Sequence, residues 1–138
     1  MSKINETIFT KIAKGDIPSF KLGENENAFA FLDINPLMPG HALVIPKVAY
    51  PTLMDTPDDV LADVIRLTKE VATKIKEKLN ADGVNIQSSN GVEANQDIEH
   101  LHFHIVPRFK TENLDIWEGI KKADDIEESI EDIYKRII

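Results

Sequence analysis

The sequence predicts an α+β fold: a five-stranded antiparallel sheet with one long helix and short terminal helices. Three observations lead to this prediction. Five short runs are rich in β-branched and aromatic residues, and one long stretch repeats apolar residues at helical spacing. Most connections are short, and only the long helix could join parallel strands, so the strands are expected to run antiparallel.

The N-terminal elements are predicted to be a short helix and three strands. Residues 7–14 place apolar side chains at near-helical spacing and end before Gly15, which predicts the helix. Runs rich in β-formers predict strands at about residues 21–25, 28–32 and 41–47. Proline and glycine between the second and third strands predict a loop there.

The longest predicted helix begins near Thr56-Pro57 and stops before Asp82. Thr56 is a suitable N-cap, proline is favoured at the first helical position, and acidic residues follow at the positive end of the helix dipole. Its predicted buried stripe consists of Val60, Val64, Leu67, Val71, Ile75 and Leu79.

The remaining elements are two strands and a helical tail. Strands are predicted at residues 84–88 and 98–106, separated by a loop at residues 89–95. Apolar residues between Ile126 and Ile137 have helical spacing, which predicts a helix in the tail.

The length of 138 residues suits a single domain. We predict that residues 1–110 form this domain and that residues 111–138 are a C-terminal helical extension packed on it. The apolar surface of the long helix extends beyond its predicted stripe and therefore requires a second cover; the additional residues are Leu61, Ile65, Thr68 and Ala72. The C-terminal helix could supply this cover, and so could a second copy of the chain.

Composition and charge narrow the classes of function. The net charge of −8 argues against nucleic acid as a partner, because a phosphate backbone is neutralised by clustered Lys and Arg. No apolar run approaches the roughly 20 residues that span a bilayer, and the N-terminus lacks an apolar leader. We therefore expect a cytoplasmic protein without a membrane partner. The absence of cysteine excludes disulfides, thiolate metal sites and thiol nucleophiles.

Three of the four histidines, His100, His102 and His104, alternate with apolar residues. Successive side chains of a strand point to opposite faces, so the three imidazoles are expected to share one face and the residues between them to enter a core. Aligned imidazoles could bind a metal ion, or could act on a phosphate as nucleophile, proton donor and anion-binding group. A polar strand face without function is the third interpretation.

The segment resembles the histidine-triad (HIT) family, whose motif is His-φ-His-φ-His-φ-φ with φ apolar; all seven positions match at residues 100–106. The resemblance is closest to the Hint-like and bacterial HIT hydrolases, and it makes residues 1–110 a HIT domain. Further matching blocks are Thr7-Ile8-Phe9 with Ile12, Phe31 to Pro36, Pro39 to Lys47, and Asn90-Gly91 with Gln96 and Ile98.

The resemblance implies an enzyme that attacks the α-phosphorus of a nucleotide with His102 and forms a covalent nucleotidyl-imidazole. His104 would bind the phosphate oxygens and the leaving group. His100 would orient His102, partly through its backbone carbonyl, and His41 would lie behind the triad. Gln96 would contact the phosphoryl group.

The resemblance also implies a site for a purine nucleotide, a homodimer, and no cofactor or metal ion. Apolar side chains would form the wall of the base pocket, and Asp33 would accept hydrogen bonds from the ribose hydroxyls. Taken alone, these apolar residues could equally be core, and Asp33 could be a turn residue. The implied nucleotide-binding residues are Ile8, Phe9, Ile12, Phe31, Asp33, Ile34, Ser89, Asn90, Asn95, Asp97 and Ile98.

The sequence departs from the family pattern at three places. Some members hold a structural zinc ion with a Cys-x-x-Cys pair and a histidine; here these positions are Thr7, Thr10 and about Ala49, which cannot replace them. Asn95 occupies a position that is usually glycine, and asparagine tolerates the left-handed conformation better than most residues. Asp97 occupies a position that is often Ser or Thr.

Three interpretations of the function follow. The first is an enzyme that hydrolyses a nucleoside phosphoramidate or a similar nucleotidyl compound through His102. The second is a nucleotide-binding module in which Asn95 and Asp97 suppress turnover. The third is a hydrolase that uses the histidines as metal ligands. Asp97 could face solvent, accept a hydrogen bond from an amine leaving group, or impair catalysis by repelling the phosphate.

Overall fold

A computed structural model describes residues 6–110 and 126–138 of the chain. The predicted fold class is confirmed, because the described residues contain one five-stranded antiparallel sheet of strand order β1-β2-β3-β5-β4. The helices are α1 (Ile8–Lys14), α2 (Asp58–Lys78) and α3 (Ile130–Ile137), and the strands are β1 (Lys21–Glu24), β2 (Ala28–Leu32), β3 (Ala42–Pro46), β4 (Gly83–Gln87) and β5 (Phe103–Arg108).

One face of the sheet is covered by α2, which contributes most of the main core. Val64, Leu67 and Val71 of α2 are almost fully buried against mostly small and β-branched residues of the three central strands. Burial of each such aliphatic side chain stabilises the fold by about 1.5–3 kcal/mol. The strand residues beneath the helix are Ala28, Ala30, Ala42, Val44, Phe103 and Ile105.

The opposite face of the sheet is covered by α1 and has a smaller core. Phe9 and Ile12 of this helix contact the rings and aliphatic side chains that β2 and β3 present on that face, which are Phe29, Phe31, Leu43 and Ile45. The Phe9 and Phe31 rings are 5.8 Å apart between centroids. This smaller core borders the candidate site.

The helix ends differ in part from the prediction. Thr7 caps α1, as its hydroxyl accepts hydrogen bonds from the first turn, and Gly15 ends the helix at φ 86°. The predicted cap of α2 is wrong: Pro57 is the residue before the helix, and the Thr56 hydroxyl donates to the carbonyl of Thr52 instead. Leu79 lies at the C-terminal end of α2 and is 43% exposed, so it does not belong to the buried stripe.

The predicted fifth strand at residues 98–106 is partly wrong, since β5 begins only at Phe103. Pairing with β3 starts at Phe103. The residues before it form a turn instead, in which the Leu101 amide donates to the carbonyl of Tyr50 at 2.7 Å. The strand also continues through Pro107, which has no backbone N–H to donate. At this position β5 pairs only with β4, because its pairing with β3 ends at Ile105, so the proline does not interrupt the pairing with β3.

The C-terminal helix α3 has a strongly apolar side that is open to solvent. Ile130 is 89% exposed and Ile137 is 78% exposed. The packing of residues 111–138 on the domain therefore stays a prediction, and residues 111–125 lie outside the described part of the chain. None of the described helices is long and apolar enough to cross a membrane.

Candidate active site

The three histidines lie on the sheet face opposite α2, as their alternation with apolar residues predicts. Leu101, Phe103 and Ile105 enter the core beneath α2. On the other face, the ring of Phe9 lies with its centroid 5.5 Å from that of His100 and 5.1 Å from that of His102. Only one of the three histidines lies within β5, so the shared face persists through the turn that precedes the strand.

His100 is a fully buried side chain whose two ring nitrogens both have partners. Nε2 lies 2.8 Å from the carbonyl oxygen of Pro46, and Nδ1 lies 2.7 Å from the hydroxyl oxygen of Thr7. Burial lowers the pKa of His100 to about 4, so the ring is neutral at pH 7. A carbonyl can only accept, so Nε2 carries the proton and Nδ1 accepts from the Thr7 hydroxyl.

The orientation of His102 depends on the backbone of His100. Nδ1 of His102 lies 2.8 Å from the His100 carbonyl oxygen, which again requires the proton to be on Nδ1. In the neutral imidazole the lone pair is then on Nε2. This nitrogen is the one that an electrophile can reach from the cavity beside it.

His104 and His41 form a second pair of linked imidazoles. The backbone amide of Leu37 donates to Nδ1 of His41 at 3.1 Å, so the proton of neutral His41 lies on Nε2. That proton is donated to Nδ1 of His104 across 2.9 Å, which leaves an N–H on Nε2 of His104. Burial, with the charges of His102 and His41, lowers the pKa of His104 to about 4, and burial also lowers the pKa of His41. The pair is therefore neutral at pH 7.

A cavity of about 360 Å³ lies between α1, β2 and the histidines. Its walls are mainly apolar. The Nε2 lone pair of His102 and the Nε2 N–H of His104 lie at its base, so the cavity suits an aromatic ligand with a polar end. The structure brings ten predicted site residues together here: Ile8, Phe9, Ile12, Phe31, Asp33, Ile34, Asp97, Ile98, His102 and His104.

Asp33 lies at the cavity and also stabilises the turn that follows β2. Its Oδ1 accepts from the backbone amide of Asn35 at 2.8 Å, and its Oδ2 lies 3.7 Å from Nε2 of His41. Both interpretations from the sequence, turn residue and cavity residue, therefore describe its position. Contact with a ribose stays a prediction.

Gln96 does not line the cavity, and its side-chain amide holds a loop together. Nε2 donates to the carbonyls of Pro51 at 2.6 Å and Ile98 at 3.0 Å, while Oε1 accepts from the amide of Gly91 at 2.7 Å. These contacts fix the segment that carries Asp97. Direct contact of Gln96 with a phosphoryl group stays a prediction.

Ser89, Asn90 and Asn95 also lie outside the cavity lining. The side-chain Oδ1 of Asn90 accepts from the backbone amide of Leu53 at 2.7 Å, so this side chain joins two loops. Asn95 has φ 66° and ψ 30°, the left-handed conformation that its glycine-like position requires. The predicted tolerance of asparagine at this position is therefore confirmed.

Asp97 lies at the mouth of the cavity beside the triad. Its Oδ1 is 3.5 Å from Nε2 of His102 and accepts from the backbone amide of Ile98 at 2.9 Å. The side chain is 77% exposed, so it faces solvent and also lies beside the Nε2 edge of the His102 imidazole. Exposure to solvent, one of the possibilities left open by the sequence, is therefore observed together with proximity to His102, and the effect of Asp97 on catalysis stays a prediction.

Asp33, His41 and His104 present possible metal-ligand atoms within 4.8 Å of one another. Nδ1 of His41 accepts from the Leu37 amide, so a metal ion on Nε2 would force the proton onto Nδ1, against that donor. The lone pair on Nδ1 of His104 is also occupied by the hydrogen bond from His41. The hydrogen bonding therefore fits a relay of neutral imidazoles better than it fits a metal site.

Sequence reasoning missed several residues of the site. Thr7 belongs to a block that matches the family but is not among the predicted site residues, yet its hydroxyl contacts His100, which is 93 positions away. No local signal marks such a contact. The cavity is also lined by Ile17, Pro18, Ser19, Leu32, Asn35 and Leu43, most of which adjoin predicted residues in the sequence.

Fold and site together define an α+β protein in which aligned imidazoles lie at the base of an apolar cavity. The HIT domain model matches residues 14–111, which is most of the chain. The chain therefore belongs to the HIT domain family.

Two relatives with named activities are similar to this chain. An adenosine 5'-monophosphoramidase of Saccharomyces cerevisiae is 45% identical over 101 residues, which cover 73% of this chain and 61% of that protein. An adenylylsulfatase of Arabidopsis thaliana is 37% identical over 118 residues, which cover 86% of this chain and 60% of that protein. The chain thus spans about three fifths of the length of these two relatives.

A solved structure is similar to this chain in both fold and sequence. The histidine triad nucleotide-binding protein of Candida albicans superposes with a TM-score of 0.75 at 34% identity, covering 96% of this chain and 92% of that one.

Proposed function

We propose that this chain is a nucleotide hydrolase that cleaves a purine nucleoside phosphoramidate, or a related nucleotidyl compound, at the α-phosphate through a covalent nucleotidyl-His102. The observation that carries the proposal is the 2.8 Å contact between Nδ1 of His102 and the His100 carbonyl, which leaves the Nε2 lone pair beside the cavity. The names of the phosphoramidase and adenylylsulfatase relatives support the class of reaction.

The reaction proceeds in two displacements at phosphorus. The Nε2 lone pair of His102 forms a bond to the α-phosphorus, and the bond to the leaving group breaks with its electron pair on the leaving atom. Water then attacks the phosphorus, the P–N bond breaks, and the electron pair returns to Nε2 while a proton goes to solvent. A neutral imidazole is a competent nucleophile at pH 7, and two displacements divide one difficult step into two easier ones.

His104 stabilises the charge that develops on the phosphoryl oxygens. The relay from the Leu37 amide through His41 leaves an N–H on Nε2 of His104, whose ring centroid is 5.0 Å from that of His102. A donor held in a fixed direction beside a reacting phosphorus favours the transition state over the ground state. Because the His104 ring is neutral, it donates a hydrogen bond without itself being an acid.

The apolar wall of the cavity binds the base, and Asp33 accepts from the ribose. Phe9, Phe31 and the aliphatic side chains around them offer stacking and dispersion contacts to a purine. We also propose a homodimer and a cytoplasmic location, both of which rest on the resemblance to the Hint-like proteins.

A second candidate function is a nucleotide-binding module with weak or no turnover. The observation that favours it is the Asp97 carboxylate 3.5 Å from Nε2 of His102, where an anionic α-phosphate has to approach. This candidate predicts tight nucleotide binding together with a very slow hydrolysis rate.

The test is hydrolysis of adenosine 5'-phosphoramidate in the presence of a chelator, measured by release of AMP. We expect turnover by the wild-type chain, loss of turnover by at least about 1,000-fold in His102→Ala, and similar AMP affinity of both proteins by calorimetry. Binding without turnover in the wild type would favour the second candidate. Loss of turnover on chelation would favour a metal-dependent reaction.

A further inference from the structure

The carboxylate at the mouth of the cavity suggests a basis for choice among leaving groups. We propose that Asp97 makes the site selective for amine leaving groups, which carry an N–H, over anionic leaving groups such as sulfate and phosphate. This inference rests on the proposed hydrolase function and specifies its substrate class.

The position of Asp97 brings it close to whatever is bonded to the reacting phosphorus. Its Oδ1 lies 3.5 Å from Nε2 of His102. A phosphorus poised for attack lies about 3–3.5 Å from the same nitrogen. The carboxylate and the substituents of the phosphorus therefore share one small region at the mouth of the cavity.

Asp97 is also held in this position rather than free to rotate away. Its Oδ1 accepts from the Ile98 amide at 2.9 Å, and Gln96 clamps the same segment through bonds to the carbonyls of Pro51 and Ile98. Oδ2 and the remaining lone pair of Oδ1 are available to accept from a ligand.

No basic side chain compensates for this charge among the described residues that line the cavity. The lining contains two carboxylates, Asp33 and Asp97, and neither lysine nor arginine. The two imidazoles that line it are needed for attack and for the phosphoryl oxygens. An anionic leaving group therefore meets a carboxylate without a counter-charge, whereas an amine meets a hydrogen-bond acceptor.

The chemistry of P–N cleavage makes use of such an acceptor. A phosphoramidate nitrogen leaves readily after it takes a proton from solvent, because the P–N electron pair then returns to a nitrogen that departs as a neutral amine. The protonated nitrogen is cationic and carries N–H donors, and a nearby carboxylate stabilises it. A sulfate or phosphate leaving group has no N–H to donate and gains negative charge as the bond breaks.

The relatives show that both kinds of leaving group occur among similar proteins. One is named as a phosphoramidase, which releases an amine, and the other is named as an adenylylsulfatase. The charge on Asp97 predicts that the present chain prefers the first kind of substrate.

The test compares two substrates of the same nucleotide, adenosine 5'-phosphoramidate and adenosine 5'-phosphosulfate, in wild type and Asp97→Asn. Asparagine retains the Oδ1 acceptor for the Ile98 amide, removes the charge and replaces the second carboxylate oxygen by an NH2 donor. Glu99→Gln is the matched control, because this substitution changes the net charge by the same amount as Asp97→Asn. Glu99 is exposed and lies outside the cavity lining. Asp97→Ser adds a variant that restores a hydroxyl.

We expect the ratio of kcat/KM for phosphoramidate over phosphosulfate to fall at least about 10-fold in Asp97→Asn and Asp97→Ser, and to stay unchanged in Glu99→Gln. Because Asp97 is exposed, salt screens its charge. The wild-type ratio should therefore also fall as salt is raised from about 0.01 M to 1 M, where the Debye length is only about 3 Å. A ratio that is the same in wild type and Asp97→Asn overturns the proposal.

Failure of the proposed function gives a different result. If neither the wild type nor any Asp97 variant hydrolyses either substrate, the chain is not the proposed hydrolase, and the proposed selectivity is rejected together with it. If Asp97→Asn gains turnover of both substrates equally over an inactive wild type, the binding-module candidate is correct and Asp97 is a suppressor rather than a selector.

Discussion

The hydroxyl oxygen of Thr7 lies 2.7 Å from Nδ1 of His100 and joins the N-terminus of α1 to the histidine triad. The same oxygen accepts from the backbone amides of Phe9 and Thr10, so the helix cap also orients the hydroxyl proton towards the imidazole. Through the His100 carbonyl, this contact bears on His102. We therefore expect Thr7 to position the His102 imidazole through His100.

Replacement of Thr7 by valine tests this positioning role. The substitution removes the donor to His100 and the cap of α1, with an expected loss of about 1–2 kcal/mol in the free energy of unfolding. We expect kcat to fall about 10-fold while KM changes little, because His100 lies outside the cavity lining. Urea unfolding and steady-state kinetics measure the two effects.

Thr7→Ser is the matched control, since serine retains the hydroxyl and the cap. It should recover most of the wild-type kcat. A valine variant that is destabilised but has wild-type kcat would reduce Thr7 to a helix cap.

The buried histidines predict that stability depends on pH in the mildly acidic range. Burial lowers the pKa of His100 and His104 from 6.5 to about 4, so the unfolded chain binds more protons than the folded one between these values. The free energy of unfolding therefore rises with pH across this window. The stability that the two neutral histidines contribute is lost as pH falls from about 6.5 to 4. The slope approaches about 1.4 kcal/mol per pH unit for each histidine.

Urea unfolding between pH 5 and pH 6.5 isolates this effect from the carboxylates. Hydrogen bonds from Lys21 and Lys47 lower the pKa of Glu24 to about 2, so the stability it contributes is lost only below about pH 4.5. His100→Gln should reduce the slope, whatever its effect on absolute stability. Stability that is flat over this range would contradict burial of neutral histidines.

Asp33 is expected to contribute to recognition of the ribose. Asp33→Asn retains the oxygen that accepts from the Asn35 amide but weakens acceptance from sugar hydroxyls. We expect kcat/KM for a ribonucleoside substrate to fall about 10-fold, since a hydrogen bond to a charged group contributes about 1.5–3 kcal/mol. The same substitution should change the rate with the 2',3'-dideoxy analogue by less than about 2-fold. An equal loss with both substrates would assign the effect to the nearby His41 instead.

The surface of α2 is expected to form the contact between two copies. Thr68 and Ala72 are buried in the domain's own core, so the surplus apolar surface reduces to partly buried Leu61 and exposed Ile65. Light scattering of the wild type should give twice the chain mass of 15.5 kDa, and Ile65→Glu should give the single mass. Thr73→Glu adds the same charge at another exposed position of α2 and should leave the mass unchanged. A wild-type chain that is monomeric at micromolar concentration rules out the dimer.

The sequence contained enough local information to predict the fold class and the face shared by the histidines. Alternation of His100 and His102 with Leu101 specifies opposite faces whether or not a partner strand is present, so this prediction survived although β5 begins later. The boundary itself depends on pairing with β3, which is a non-local property. Periodicity cannot locate where such pairing starts.

The contacts that orient the site could not be predicted from sequence. Thr7 and Gln96 act through hydrogen bonds to residues 93 and 45 positions away, and no spacing rule marks such pairs. The predicted Thr56 cap is wrong for a different reason, because the hydroxyl donates to a competing local acceptor, the carbonyl of Thr52 four residues earlier. Asp97 was recognised as unusual from its residue type, but its distance from His102 required the folded chain.

The central claim is the covalent nucleotidyl-His102, and its most direct test is mass spectrometry of intact protein quenched during turnover. The quench is an alkaline denaturant, because a bond between phosphorus and imidazole is labile in acid. We expect a species heavier by one nucleotidyl group, with the group mapped to His102 by fragmentation and absent from His102→Ala. Turnover at saturating substrate without any adduct, or with an adduct on another residue, would contradict the account.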